Sequence, residues 1–459
     1  MKKEMQKKTT EVDMLHGPLS KKLLLFTLPI ALSSILQQLF NAADTSIVGY
    51  FGNANALAAV GTNGEIVALI VTLSSVLTIG ANILVANQIG QNKRDNISEI
   101  VQTSVVLAVL AGIIGLIIGQ CVAFPLLRMI RTPQEILAAA ESYLRIYLAG
   151  YPFLLLYDFG AAILRARGDS RYPFIALTVS GIMNVVLNLI LVVVFHLGVA
   201  GVAIATDIST GISAWIVLKR LRRDELFQLS FRHLHIEWKY IVEILKMGIP
   251  SAIQGAVFCF ANIFVQASVN TFGSVAIAGS TIAMNFEYFA YYGITAFGQT
   301  ATTFASQNYA AGQTGRCRKI LWQCLGFSVL CSLIMIEPVI IFRNGFSGLF
   351  SADKAVIESA GIRIMCILFF EPVCSFYEIP AGVLRGTGHA MLPAVSTMVG
   401  TCLFRIVWNC TVFRTHPSLA MLYHAFPLSW GLTIMFVGIS FVVAKSFEVN
   451  KIPDKNRDI

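Results

Sequence analysis

Apolar stretches of about 20 residues recur along the whole chain, each long enough to cross the ~30 Å hydrocarbon layer of a membrane as a helix. Because unpaired backbone groups are costly in lipid, only helices or a closed barrel can span it. The apolar residues run continuously instead of alternating, and the stretches are too long for the ~10-residue strands of a barrel. With 56% apolar and 13% charged residues, the chain also lacks the polar surface of a soluble protein. The sequence therefore predicts an all-α membrane protein.

We predict twelve transmembrane spans. Of the Lys and Arg residues, 25 lie at the termini or after even-numbered spans and five lie after odd-numbered spans. By the positive-inside rule, both termini are cytoplasmic, which requires an even number of spans in the cytoplasmic (inner) membrane. The net charge of +9 therefore marks orientation and predicts no nucleic-acid partner. The spans lie at about 22–48, 58–86, 98–122, 137–163, 173–195, 198–219, 241–269, 275–305, 319–342, 357–383, 391–413 and 421–444.

The two halves of the chain repeat each other. Two sets of residues recur, one at an offset of 221 and the other at 220. With six spans in each half, the halves insert in the same orientation, so we expect two six-helix lobes related by a pseudo-twofold axis along the membrane normal. The recurring pairs are Pro29 and Pro250, Asn41 and Asn262, Gly52 and Gly273, Pro152 and Pro372, Leu164 and Leu384, Arg165 and Arg385, Gly168 and Gly388, and Pro173 and Pro393.

This pattern predicts five segments. They are a cytoplasmic N-terminus (1–21), an N-lobe (22–219), a cytoplasmic linker (220–240), a C-lobe (241–444) and a cytoplasmic C-terminus (445–459). The nine cysteines form no C-x-x-C pair, so neither a metal site nor a disulfide framework is expected.

Polar intramembrane residues that occur in only one half are the stronger candidates for function. Asp44 is the clearest, because its counterpart is Val265 and an ionisable group inside a membrane is costly and marks a site by default. Gln37, Asn41 and Asp44 stand at positions i, i+4 and i+7, so they form one polar stripe on the first span.

The fifth and sixth spans carry matching polar groups. At a rise of ~1.5 Å per residue, Asn188 lies roughly 22 Å from the cytoplasmic end of its span, and Thr206 lies about 12 Å from the outer end of the next. These levels agree within one helical turn, so Asp44, Asn184, Asn188 and Thr206 are predicted to meet. The alternative is that the amides and hydroxyl only hold the helices together.

Other charged residues leave alternatives open. Glu287 has no counterpart and stands with Tyr288 and Tyr291, a combination suited to cationic, aromatic ligands. An ion pair of Glu287 with Arg405 or Arg363 would explain it equally well.

Further acids and prolines lie within the spans. Glu371 and Glu378 flank prolines that predict a broken tenth span. Asp158 is expected to anchor its helix, whereas Asp207 is either a proton partner of Asp44 or a residue of the outer vestibule. Pro29 and Pro250 weaken the first helix of each half and are candidate gates.

At this point the residues resemble the multidrug and toxic compound extrusion (MATE) family over nearly the whole chain. The stretch T-L-P-I-A-L-S-S-I-L-Q-Q-L-F-N-A-A-D-T-S-I-V-G from Thr27 is similar to the family's first helix. The paired segments A-I-L-R-A-R-G-D-S-R-Y-P from Ala162 and G-V-L-R-G-T-G-H-A-M-L-P from Gly382 resemble its duplicated L-R-G-x-G-D motif. The segment T-T-F-A-S-Q-N-Y-A-A-G from Thr302 resembles its Q-N-x-G-A segment.

The resemblance implies roles for particular residues. Asp44 matches the family's cation-coupling aspartate, Asn184 its helix 5 asparagine and Thr206 its helix 6 threonine. Asn188 departs from the family, since many members have a second aspartate there. A helix 7 glutamate known from another branch is also missing, because Phe258 occupies its place, whereas Glu287 looks like the helix 8 glutamate of some bacterial branches.

The implied function is secondary active efflux of cationic amphipathic compounds in exchange for H⁺ or Na⁺ by alternating access. We expect no enzyme activity, no cofactor, no metal beyond a Na⁺ at the coupling site, and a monomer that handles small molecules in the bilayer. A lipid-linked precursor flippase of the same wider fold is the alternative, and a membrane-embedded enzyme a remote one. The residues expected to line the substrate cavity are Gln37, Asn41, Gln254, Asn262, Gln266, Glu287, Tyr288 and Tyr291.

Overall fold

The structure, a computed structural model, describes residues 11–51, 54–93, 95–130, 132–229, 236–351 and 353–444. These ranges contain helices and no β-strand, as predicted. Gly52, the predicted C-terminus (445–459), the first ten residues of the predicted N-terminus and residues 230–235 of the predicted linker lie outside the described residues.

The helices follow one another with short connections. In the first half they are α1 (Leu19–Phe51), α2 (Ala54–Leu77), α3 (Ile79–Gly90), α4 (Asp95–Met129), α5 (Gln134–Ala149), α6 (Tyr151–Arg167), α7 (Arg171–Asn188) and α8 (Gly198–Arg223). In the second half they are α9 (Trp238–Asn270), α10 (Ser274–Ala310), α11 (Thr314–Ile341), α12 (Arg343–Gly348), α13 (Lys354–Cys366), α14 (Ser375–Gly386), α15 (Met391–Thr397), α16 (Phe404–Cys410), α17 (Val412–Thr415) and α18 (Leu419–Ala444). Leu189–Val194 and Met398–Leu403 are π-helical, and Leu368–Cys374 is a 3₁₀-helix.

Each of the twelve predicted spans coincides with a helix or with a broken one. In the described part of the chain, nine helices are long and apolar enough to cross a membrane, or ten if the bent pair α5 and α6 is one span. The two other predicted spans are α10, whose 37 residues carry many polar side chains, and the chain from α13 to α14. That second span is interrupted by the 3₁₀-helix containing Pro372, which confirms the predicted break.

The chain bends sharply at Gly150, whereas the helices that contain Pro29 and Pro250 are not interrupted. Gly150 separates α5 from α6 at an angle of 44°, and Pro152 follows at the start of α6. By contrast, α1 and α9 continue through Pro29 and Pro250. A gating role for these two prolines stays a prediction.

The chain forms two compact units. Of the described residues, the first unit comprises 11–13, Leu24–Ile89 and Lys93–Gly248, and the second comprises Met14–Leu23, Gly90–Asn92 and 249–444. The predicted lobe boundaries at 219 and 241 stay predictions.

Glycines let helices pack closely within the second unit. A β-carbon at Gly382 of α14 would lie 2.5 Å from the carbonyl oxygen of Gly298 of α10, and one at Gly386 would meet the Thr302 carbonyl at the same distance. Small residues of this kind are how membrane helices approach each other, since lipid offers no hydrophobic driving force between them.

The repeat is visible in the backbone. Gly168 follows α6 and Gly388 follows α14 by two residues, and both adopt the left-handed conformation, with φ of 104° and 89°. Only glycine adopts this region without a steric penalty, which explains why the motif repeats its glycine.

Candidate functional site

Asp44 is the centre of a polar cluster in the first unit. Its side chain on α1 is buried, with 7% of its surface exposed. The Nδ2 group of Asn188, at the end of α7, donates to Asp44 Oδ1 over 2.5 Å, and the Thr206 hydroxyl of α8 donates to Oδ2 over 3.2 Å. Two helices, α7 and α8, thus direct polar side chains to the carboxylate of a third, α1.

The donors are themselves connected. Asn188 Nδ2 also donates to Asn184 Oδ1 over 3.1 Å, and Asn184 Nδ2 donates to the Thr206 hydroxyl over 3.3 Å. The Thr206 hydroxyl also lies 3.0 Å from the Val202 carbonyl. Because a hydroxyl has a single proton, Thr206 can serve Asp44 or Val202 but not both at once.

One acceptor in this cluster is unused. The Oδ1 atom of Asn188 is buried and has no hydrogen-bond partner among the described residues. No Lys or Arg of the described chain forms an ion pair with Asp44. A buried carboxylate is costly unless a proton or a cation neutralises it, so the cluster has the chemistry to take up either one.

The local fold explains the position of these groups. A β-carbon on Gly181 of α7 would overlap the ring of Phe40, so glycine at this position permits the close approach of α1 and α7. Directly after Asn188 the α-helix becomes π-helical, a local change often found at functional sites.

Sequence reasoning missed Tyr143. This residue of α5 is buried, stacks on Tyr147 and lies close enough to Asp44 to interact with it electrostatically. Tyrosines are common in membrane spans, and nothing in the local sequence distinguishes this one; only the tertiary structure does.

The residues predicted to line the cavity have different surroundings within each unit, and their shared role stays a prediction. Gln37 is half-buried and Asn41 is exposed on α1, outside the hydrogen-bonded cluster around Asp44. In the second unit, Asn262 Oδ1 accepts a hydrogen bond from Arg405 over 3.0 Å, and Gln266 donates to Asn270 over 3.1 Å.

The structure decides between the two interpretations of Glu287. Its carboxylate receives two hydrogen bonds of 2.7 Å from Arg363, which also donates to Ser280 over 2.8 Å. Arg363 binds both carboxylate oxygens, so the charge of Glu287 is already paired and does not face a ligand alone. The neighbouring Tyr288 stacks on Tyr292 and is 39% exposed. Gln254 and Tyr291 are half-buried.

The remaining intramembrane acids have separate surroundings. Asp207 lies against Gly150 and accepts a hydrogen bond from its backbone, so it is not a hydrogen-bond partner of Asp44. Asp158 Oδ2 is buried without a hydrogen-bond partner in the described chain. Glu378 accepts from Arg385 over 2.8 Å, and Glu371 is buried on the 3₁₀-helix.

Comparison with known proteins agrees with the repeat. The MatE family model matches the chain twice, at residues 29–190 and 250–411, which confirms the 221-residue offset of the two halves. A multi-pass helical protein that is built from two repeats and buries an unpaired acid within its spans has the features of a membrane transporter. Since the family model covers more than half of the sequence, the chain belongs to the multidrug and toxic compound extrusion (MATE) family of transporters.

Relatives and solved structures share most of the chain. "Probable multidrug resistance protein YoeA" of Bacillus subtilis is 25% identical over 380 residues, 81% of this chain and 82% of that protein. "Probable multidrug resistance protein NorM" of Thermotoga maritima is 26% identical over 395 residues, which are 84% of this chain and 84% of that protein. A solved outward-facing multidrug resistance transporter of the MATE family superposes with a TM-score of 0.86 at 20% identity, covering 95% of this chain and 97% of the other. The predicted fold, two six-helix lobes, is thereby confirmed.

Proposed function

We propose that this transporter exports cationic amphipathic compounds in exchange for H⁺ or Na⁺, and that Asp44 binds the coupling ion. The observation that carries the proposal is the buried Asp44 carboxylate, which is held by Asn188 and Thr206 and forms no ion pair within the described chain. The names of the relatives support the substrate class, since they refer to multidrug resistance.

Either ion fits the donors of this site. A proton would neutralise Asp44 directly and let it donate a hydrogen bond. A Na⁺ ion would find carboxylate, amide and hydroxyl oxygens, the ligand types that such hard cations take. The unused Asn188 Oδ1 is an acceptor for either species.

Exchange requires that the ion and the drug prefer different states of the transporter. Binding at Asp44 removes the charge that keeps Asn188 and Thr206 oriented toward the carboxylate, and so changes the contacts among α1, α7 and α8. A ligand shifts a conformational equilibrium only by its difference in affinity for the two states, so this rearrangement is what would link ion uptake to alternating access.

We also propose that the protein acts as a monomer in the cytoplasmic membrane with both termini on the cytoplasmic side. The distribution of Lys and Arg supports this orientation. A reporter enzyme active only outside the cytoplasm, fused after the last residue, should remain inactive. Activity of that fusion would reverse the topology.

The function is tested with purified protein in liposomes. An imposed H⁺ gradient or an imposed Na⁺ gradient, applied separately, should drive accumulation of a fluorescent organic cation, and one gradient should suffice. Asp44→Asn should abolish gradient-driven transport, because the amide neither takes up a proton nor carries the charge that attracts Na⁺.

The matched control is Asp158→Asn, the same acid-to-amide change elsewhere in the first unit. It should insert normally and retain ion-driven transport. Wild-type transport rates in Asp44→Asn would refute the coupling assignment. No observation on the described residues favours a precursor flippase.

A further inference from the structure

A groove lies between α6 and α8 in the first unit. Its volume is about 440 Å³, within the range of small-molecule sites. Asp207 is the charged residue among the groups that line it, and the remaining lining is apolar or aromatic. The lining residues are Phe153, Asp207, Ile208, Gly211, Ile212 and Trp215.

The sequence of α8 explains why the groove exists. Asp207, Gly211 and Trp215 stand at i, i+4 and i+8 and therefore share one face of the helix. Gly211 has no side chain, so a hollow is left between the carboxylate and the indole, and Phe153 of α6 forms its wall. A β-carbon at position 211 would find nothing closer than 3.8 Å, from the Phe153 ring.

The carboxylate is held at one end of the groove. Asp207 packs on Gly150, at the bend between α5 and α6, where a β-carbon would overlap its Oδ1 atom. Asp207 lies nine residues into α8, about 13 Å along the helix and therefore within the apolar layer. No basic residue of the described chain forms an ion pair with it, so a charge at this point would attract a cation strongly.

The aromatic end of the groove already binds a cation. Lys219 places its Nζ atom 4.5 Å from the centroid of the Trp215 ring. Trp215 and Phe153 are 60% and 45% exposed, so both rings have surface free to contact a ligand.

We propose that this groove is a second binding site, which takes a hydrophobic organic cation dissolved in the bilayer. The positive centre lies at Asp207, and the apolar body lies over Gly211 against Phe153 and Trp215. Charge complementarity selects a cation over a neutral lipid, and the apolar lining selects a hydrophobic cation over a metal ion. The inference rests on the proposed function for the class of compound that is bound, and the site is separate from the ion site at Asp44.

Equilibrium binding of radiolabelled tetraphenylphosphonium to the full chain in lipid nanodiscs tests this. Asp207→Asn should weaken binding at least about 10-fold, the equivalent of ~1.4 kcal/mol. Gly211→Leu should weaken it similarly, because it fills the hollow while keeping the charge. Leucine is also the better helix former and the position has room, so this variant should fold even if Asp207→Asn does not.

Asp158→Asn is the control, since it makes the same acid-to-amide change in the same unit at a residue that does not line the groove, and its tetraphenylphosphonium affinity should equal that of the wild type. Unchanged affinity in both Asp207→Asn and Gly211→Leu would overturn the site, as would a photoreactive analogue that labels no peptide of α6 or α8. Binding is measured without any ion gradient. A failure of ion-driven transport in the liposome assay would therefore not change the outcome of the binding assay.

Discussion

Asn188 donates its amide to Asp44 across 144 residues of sequence, over 2.5 Å. From the resemblance to the family, we expect many MATE proteins to have a second aspartate where this chain has Asn188. Here the second group is a neutral donor, so the buried cluster carries one formal charge instead of two. Two carboxylates at this separation could not both be ionised, whereas an amide and a carboxylate are compatible at any pH. The site is therefore suited to one monovalent cation or one proton.

Replacing Asn188 tests this relationship. Asn188→Leu removes the donor to Asp44 Oδ1 and the unused Oδ1 acceptor together. A hydrogen bond to a charged group is worth about 1.5–3 kcal/mol, and this one stabilises the ionised, ion-free Asp44. Its loss should therefore raise the affinity of the site for a proton roughly 10- to 100-fold, whereas loss of the Oδ1 ligand should lower the affinity for Na⁺. The ion concentration that half-saturates transport measures this. Thr178→Val, which removes a hydroxyl that donates to the Phe174 carbonyl of the same helix, is the control and should leave the ion dependence unchanged.

Removing one partner of the buried ion pair of Arg363 and Glu287 should destabilise the protein strongly. Glu287→Gln leaves a buried guanidinium without its counter-charge, which typically costs about 3–5 kcal/mol. The double variant Glu287→Leu with Arg363→Met should recover most of this loss, because it leaves no unpaired charge. Thermal unfolding in detergent measures both.

A second ion pair gives the matched control for that measurement. Arg145 and Glu141 form a more exposed pair one helical turn apart, with side chains 41% and 26% exposed. Breaking it with Glu141→Gln should cost about 0–1 kcal/mol. Equal losses in Glu141→Gln and Glu287→Gln would show that the buried pair has no special role.

The close contact of α14 with α10 predicts a position-specific effect of alanine. Gly382→Ala should lower the melting temperature, because its β-carbon would approach the Gly298 carbonyl to 2.5 Å and force the helices apart. Gly326→Ala in α11 has open space around it and should be neutral or stabilise by about 0.5–1 kcal/mol. Equal effects of the two substitutions would contradict close packing at Gly382.

His389 predicts a pH dependence of stability. This histidine lies in the loop between α14 and α15, and burial lowers its pKa below the ordinary value of 6.5. The unfolded chain then binds a proton more readily than the folded one. The contribution of the neutral His389 to stability is therefore fully present above about pH 6.5 and is lost as the pH falls from there through the lower pKa of the folded state. His389→Gln should reduce the acid-induced fall in melting temperature between pH 7 and pH 5, with little change at pH 8. An identical pH profile in the variant would argue against the burial effect.

The sequence by itself determined the number of spans, the repeat and the family. These follow from long apolar runs and from motifs such as the glycines at 168 and 388. The hydrophobicity of a run and the backbone conformation of a glycine are local properties, so they do not depend on contacts with residues distant in sequence. The sequence also predicted the polar cluster around Asp44, because the rise per residue of a helix gives the depth of each side chain in a layer of known thickness. The members of this cluster are Asp44, Asn184, Asn188 and Thr206.

Tertiary structure decided which groups pair and which stay free. Glu287 could bind Arg363, Arg405 or a ligand as far as the sequence shows, and the packing of α10 against α13 selects Arg363. Asp207 is adjacent to Thr206 in sequence, yet it points to Gly150 and a separate groove. The physical reason is that neighbouring residues on a helix are about 100° apart, so helix rotation, set by packing across the whole unit, assigns each side chain its surroundings.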